Sequence, residues 1–250
     1  GRAGNSQKAI DKYKEALSYK TYQGKYEIRH RLATFTIQYN EALRKKKKKI
    51  NQGMTNYLIE ELKKNIKAHP RDYVPYLYLG RTYIILINED ESAGEKAEEV
   101  IMGALDINDK NPRVWYELGQ ARMSRKKYDG AVEAFKQALE LNPGVNQSLW
   151  FLGMSYAQDG KTEEAVKYVE QAIEKGFSYQ GSFSNIVRLI NLYAQTKDYY
   201  KVIDLYKMAI KLQPKNAQLY ASLAAAYRVV GDIDNAILYA REAGEIDESF

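Results

Sequence analysis

The chain has 250 residues, 45% hydrophobic, 12% aromatic and 28% charged, with no cysteine and a net charge of +6. That composition supplies enough apolar material for an ordered core, and it excludes disulfides, thiolate metal sites and a disordered chain. The charge is segregated: residues 1–70 carry 17 Lys and Arg against 6 Asp and Glu, and residues 71–250 carry 21 against 26. No apolar run approaches the roughly 20 residues of a membrane-spanning helix. The opening "GRAGNSQ" has neither an initiating methionine nor a charged-then-apolar signal pattern, so the chain reads as a processed product or an excised region.

In chain order, the first 70 residues are the least regular. "AIDKYKEAL" sets Ala9, Tyr13 and Ala16 at helical spacing, and "YEIRHRLATFTIQYNEAL" places Ile28, Leu32, Phe35 and Tyr39 on one helical face. The run Arg44, Lys45, Lys46, Lys47, Lys48 and Lys49 follows, a candidate basic patch for phosphates or anionic lipid, against the plainer reading of a solvated helix end. No aromatic platform is interleaved with it, so sequence-selective nucleic-acid binding has no support. "MTNYLIEELKKNIKAHP" then carries Leu58, Leu62 and Ile66 and closes on a proline.

From residue 71 onward a pattern recurs. "PRVWYELGQARMSRKKYDGAVEAFKQALELNP" has Trp115, Leu118 and Gly119 on one helix and Ala131, Phe135 and Ala138 on a second, with "KKYDG" as the turn. Gly119, Ala131 and Ala138 are small where two helix axes would approach, and Pro143 stops the second helix. Leu152, Gly153, Tyr156, Ala165, Val169 and Ala172 repeat the spacing 34 residues later. After three extra residues Leu189, Tyr193, Tyr206, Ala209 and Pro214 do so again, but with Ile190 and Val202 at the small positions. Leu223, Ala224, Tyr227, Ala236 and Ala243 form the last unit, and Leu79, Gly80, Tyr83, Ala97 and Ala104 the first. These residues resemble the tetratricopeptide repeat, a helix–turn–helix of 34 residues. The resemblance implies an all-α, right-handed superhelical solenoid of antiparallel helix pairs. It divides the chain into a divergent region 1–70, holding a half repeat and a long helix pair, and five units at about 73–111, 112–145, 146–182, 183–216 and 217–250.

Enzymatic chemistry has no foothold. His69 sits before Pro70 at a helix end, and His30 lies between Arg29 and Arg31; both read as structural rather than as metal ligands. No nucleotide-binding, nucleophile-elbow or zinc-protease motif occurs, and Glu163–Glu164 belong at a helix start, where carboxylates favour the dipole. We therefore expect no enzyme activity, no cofactor and no metal. "NQS" at Asn146–Ser148 matches a glycosylation acceptor, but its position favours Asn146 or Ser148 as a helix cap.

The repeat resemblance places a concave groove on first-helix residues between the core positions: Leu77, Arg81, Tyr116, Gln120, Trp150, Met154, Asn191 and Arg228. Some family members hold a peptide's terminal carboxylate there with Lys, Arg and Asn, whereas these positions are largely aromatic or apolar. An apolar patch around Trp150, Met154 and Tyr116 would suit an amphipathic helix. The chain ends at "AGEIDESF" without a polar capping helix, with Glu242, Glu245, Asp247 and Glu248 as an acidic end. Basic start and acidic end suggest a protein scaffold that assembles head to tail with copies of itself. The alternatives are a monomer with a peptide in the groove and an extracytoplasmic domain. The last follows from "ALSYKTYQGKYEIRHRLA" and "HPRDYVPYLYLGRTY", which resemble the tetratricopeptide tail of bacterial O-antigen ligase-like membrane proteins. That resemblance implies a periplasmic or extracellular setting and membrane contact only through a parent region or the basic run.

Overall fold

The turns explain the helices. Between the two helices of a pair, the chain reverses through a residue in the left-handed region at Lys126, Gly160, Lys197 and Gly231, with φ between +60° and +82°. At each, the next N–H reaches back to a carbonyl five residues earlier: Lys127 to Arg122, Lys161 to Tyr156, Asp198 to Tyr193, Asp232 to Tyr227. This closure satisfies the last carbonyls of one helix and launches the next. The spacing of the four turn residues (34, 37 and 34) is the sequence repeat itself, including its three-residue insertion.

The computed structural model describes residues 2–19 and 22–247, among which there are thirteen α-helices and no strand. Two compact units divide the chain, 1–143 and 144–250. The compositional boundary at 70/71 falls inside the first. That unit contains α1 (Arg2–Ser18), α2 (Tyr22–Lys45), α3 (Gln52–Ala68), α4 (Tyr73–Leu86), α5 (Ala93–Ile107), α6 (Pro112–Ser124) and α7 (Tyr128–Leu141). Helices α4 and α5, and α6 and α7, form closely packed hairpins, and α2 touches α4 as α4 touches α6. The first helices thus share one side, and α2–α3 acts as a longer version of the same pair. Leu32, Leu58, Leu62, Leu77, Ile101 and Leu118 form the buried core. Asn51, Asp72 and Asn111 cap α3, α4 and α6, each accepting a hydrogen bond from a first-turn N–H.

The second unit holds α8 (Asn146–Gln158), α9 (Thr162–Glu174), α10 (Phe183–Gln195), α11 (Tyr199–Leu212), α12 (Ala217–Val229) and α13 (Ile233–Ile246), again as consecutive hairpins. Glu163 and Glu164 lie in the first turn of α9, as their charge favours. The expected cap of α8 differs. Val145 occupies the cap position without a side-chain hydrogen bond. Ser148 is buried, and the Asn146 amide instead donates to the Lys175 carbonyl at the end of α9, 3.2 Å away. That bond ties the start of one helix of the pair to the end of the other.

Glycines set the closest approaches. A Cβ at Gly119 would lie 2.7 Å from the Phe135 ring, and one at Gly153 would lie 2.7 Å from Val169 Cγ2 and 2.9 Å from the Ala165 carbonyl oxygen. No helix among the described residues is long and apolar enough to cross a membrane.

Candidate functional site

In the first unit the first helices meet in a charged chain. Arg81 on α4 lies 3.6 Å from Glu41 on α2 and 3.7 Å from Glu117 on α6. Arg113, one turn before Glu117, stands 3.9 Å from the same carboxylate. Glu117 is almost completely buried. Its two guanidinium neighbours are too distant to hydrogen-bond, so desolvation dominates and pushes its carboxyl up to about 7, with Arg81 and Arg113 offsetting only part. Tyr116 beside it packs edge-on against Phe135, and burial raises its hydroxyl, with Glu117 adding to the effect. Gln120, one turn on, has its buried Nε2 without a hydrogen-bond partner. Arg81 thus lies near Tyr116 and Glu117, and Gln120 follows one turn further along α6. Leu77, expected in the groove, is a core residue. Glu41 and Glu117 were missed in the sequence, although residues 41, 81 and 117 recur at nearly one repeat length.

In the second unit the groove expectation needs a correction. Trp150 is fully buried, and Met154 nearly so. After α9, Gly176 takes φ +86° and the Phe177 N–H returns to the Ala172 carbonyl at 2.8 Å. That reversal lays Phe177 flat on Trp150, with ring centroids 4.3 Å apart and planes 12° from parallel. The apolar patch expected around Trp150 is thus internal packing. Asn191 and Arg228 are exposed.

The basic run occupies the end of α2 and its turn. Lys47 is left-handed at φ 53°, and the Lys48 N–H closes on Leu43. Lys45–Lys49 are exposed, and none of Arg44–Lys49 forms an ion pair among the described residues. Cations there complement the helix dipole. His30 packs between Tyr26 and Tyr78, where burial lowers its pKa, and His69 caps α3.

At the acidic end, Glu242 is half-buried, Glu245 and Asp247 are exposed, and Glu248 lies outside the described residues. Their helix, α13, exposes Ile233, Ile237 and Leu238, each roughly half accessible or more. Ile233 and Ile237 border a groove of about 360 Å³ against Ala221, Ala225 and Arg228 of α12.

A family model described as tetratricopeptide repeat matches residues 91–179. The TPR repeat-containing protein MJ1428 of Methanocaldococcus jannaschii is 30% identical over 149 residues, which span 59% of this chain and 25% of that protein. The structure of Pseudomonas aeruginosa pilF superposes with a TM-score of 0.62 at 19% identity, covering 89% of this chain and 95% of the other. YrrB, described as a TPR protein with an unusual peptide-binding site, gives 0.59 at 17% identity, covering 76% and 94%. The fold is therefore an all-α array of tetratricopeptide-type helix pairs. Over residues 91–179 the chain is similar to the tetratricopeptide-repeat family. Proteins of this class generally bind proteins or peptides, and their fold is typically a non-enzymatic scaffold.

Proposed function

We propose that the chain is a non-enzymatic scaffold that associates with copies of itself through its last hairpin. The carrying observation is the α12–α13 groove, an open apolar trough bordered by Ile233 and Ile237 and floored by alanines. Alanines at these positions leave room for the side chains of another helix. The acidic residues of α13 flank the trough, and the basic region 1–70, ahead of five repeats over 71–250, is the complementary surface on a second copy. The described part of α1 contributes charge rather than apolar area, since Lys8, Lys12 and Lys14 are exposed while Ile10 is buried. In this reading, apolar contact comes from one partner's trough and steering from both.

Light scattering over a concentration and salt series tests it. Mass should rise with concentration and fall with added salt. Ile237→Lys should abolish the rise, and Glu245→Lys with Asp247→Lys should weaken it. A constant monomer mass for the parent chain would refute the proposal. The second reading, a peptide bound on the first-helix side of the first unit, draws on the incompletely neutralised Glu117 beside Tyr116 and Gln120.

A further inference from the structure

The α10–α11 hairpin breaks the rule that closes the others. Where the remaining pairs place Gly80 with Ala97, Gly119 with Ala131, Gly153 with Ala165 and Ala224 with Ala236, this one places Ile190 with Val202. Both are buried, and two branched side chains at the point of closest approach hold the helix axes apart. The pair is accordingly less closely packed than the other four. The three-residue insertion before α10 adds Tyr179 to the same side. Together these features accompany a cavity of about 350 Å³ among α9, α10 and α11, open to solvent and floored by Leu189, Tyr193, Leu205 and Met208.

Its rim is unevenly charged: Glu170, Glu174 and Asp204 face the single cation Lys201. Lys201 is already committed. Its Nζ lies 2.6 Å from Glu170, 3.5 Å from Asp198 and 4.5 Å from the Tyr193 ring centroid. Glu174 has no ion pair or hydrogen bond among the described residues, and Asp204 has only Lys207 at 4.0 Å. Two carboxylates therefore remain above an apolar floor.

We infer that this cavity is a peptide-binding site for a partner segment in which a large apolar side chain is followed by arginine. The apolar side chain fills the floor and the guanidinium reaches Glu174 and Asp204, whose separate oxygens suit its several donors. The cavity has room for about two side chains, at the lower end of ligand-pocket sizes. The site is independent of association through α12–α13.

Met208 provides the reporter, since the chain has five methionines and each methyl can be followed by NMR after carbon-13 labelling. The probe is the blocked peptide acetyl-Ala-Leu-Arg-Ala-amide, with Gln in place of Arg, and Ser in place of Leu, as controls. The expected result is a saturable shift of the Met208 methyl with the Leu-Arg peptide, and affinity about fivefold weaker for each control. The double variant Glu174→Gln, Asp204→Asn changes exposed side chains only. It should weaken the Leu-Arg peptide by about the same factor while leaving the Met154 methyl and the helical signal unchanged. Absence of a saturable Met208 shift at millimolar peptide would overturn the site. Equal affinity for the Gln peptide, or for the double variant, would overturn the assignment of arginine.

Discussion

Glu117 shows how one buried carboxyl can couple the fold to pH. In the folded chain it keeps its proton up to about pH 7, whereas its ordinary value is 4.5. Stability from this group is complete below the lower value and is lost as pH rises through the higher one. The difference corresponds to on the order of 3 kcal/mol. Glu117→Gln removes the titration and leaves Arg81 and Arg113, both partly solvated, to find water. We expect the variant to exceed the parent in urea midpoint at about pH 8 and to flatten the decline from about pH 5. Parallel pH profiles for the two proteins would show that Glu117 is ionised throughout.

Among elements, the hairpin is the unit that the sequence pattern encodes, and glycine marks its seam. The same substitution should have opposite effects at two glycines. Gly153→Ala drives a Cβ to 2.9 Å from the Ala165 carbonyl oxygen and 3.0 Å from the Val169 nitrogen, backbone atoms that cannot turn aside. It should cost about 3 kcal/mol. Gly244→Ala in α13 meets nothing within 4 Å and should gain about 0.5 kcal/mol from helix propensity. Thermal unfolding of the two variants gives both signs in one experiment. These hairpins could be read in advance because small residues and apolar faces recur at a fixed interval. Trp150 could not, since the residue that covers it, Phe177, stands outside any helical period, beyond a glycine turn. Arg81 comes near Tyr116 and Glu117 because repeat register places first helices side by side. The acidic partners at 41 and 117 escaped because charge alone does not say which side of a helix is buried.

For the whole molecule, two basic turns, at residues 44–49 and 122–127, differ in what surrounds them. At the second, a single carboxylate gathers three cations: Glu98 on α5 accepts hydrogen bonds from Arg122 at 3.2 Å, from Lys127 at 3.0 Å and from Arg125. Burial alone would push the Glu98 carboxyl up, but these donors hold it below the usual range. At the first, Lys45–Lys49 stand in solvent without such a partner. A protease that recognises Lys and Arg must draw the chain around its target into an extended form, with the basic side chain free to enter its pocket. Digestion with limiting trypsin should therefore nick the native chain first within residues 44–49, with residues 122–127 surviving into later fragments; mass spectrometry of the earliest products reads the order. Glu98→Gln should bring the two cleavages closer in time. The side chain that pins one hairpin to the next thus also decides where the chain is first cut.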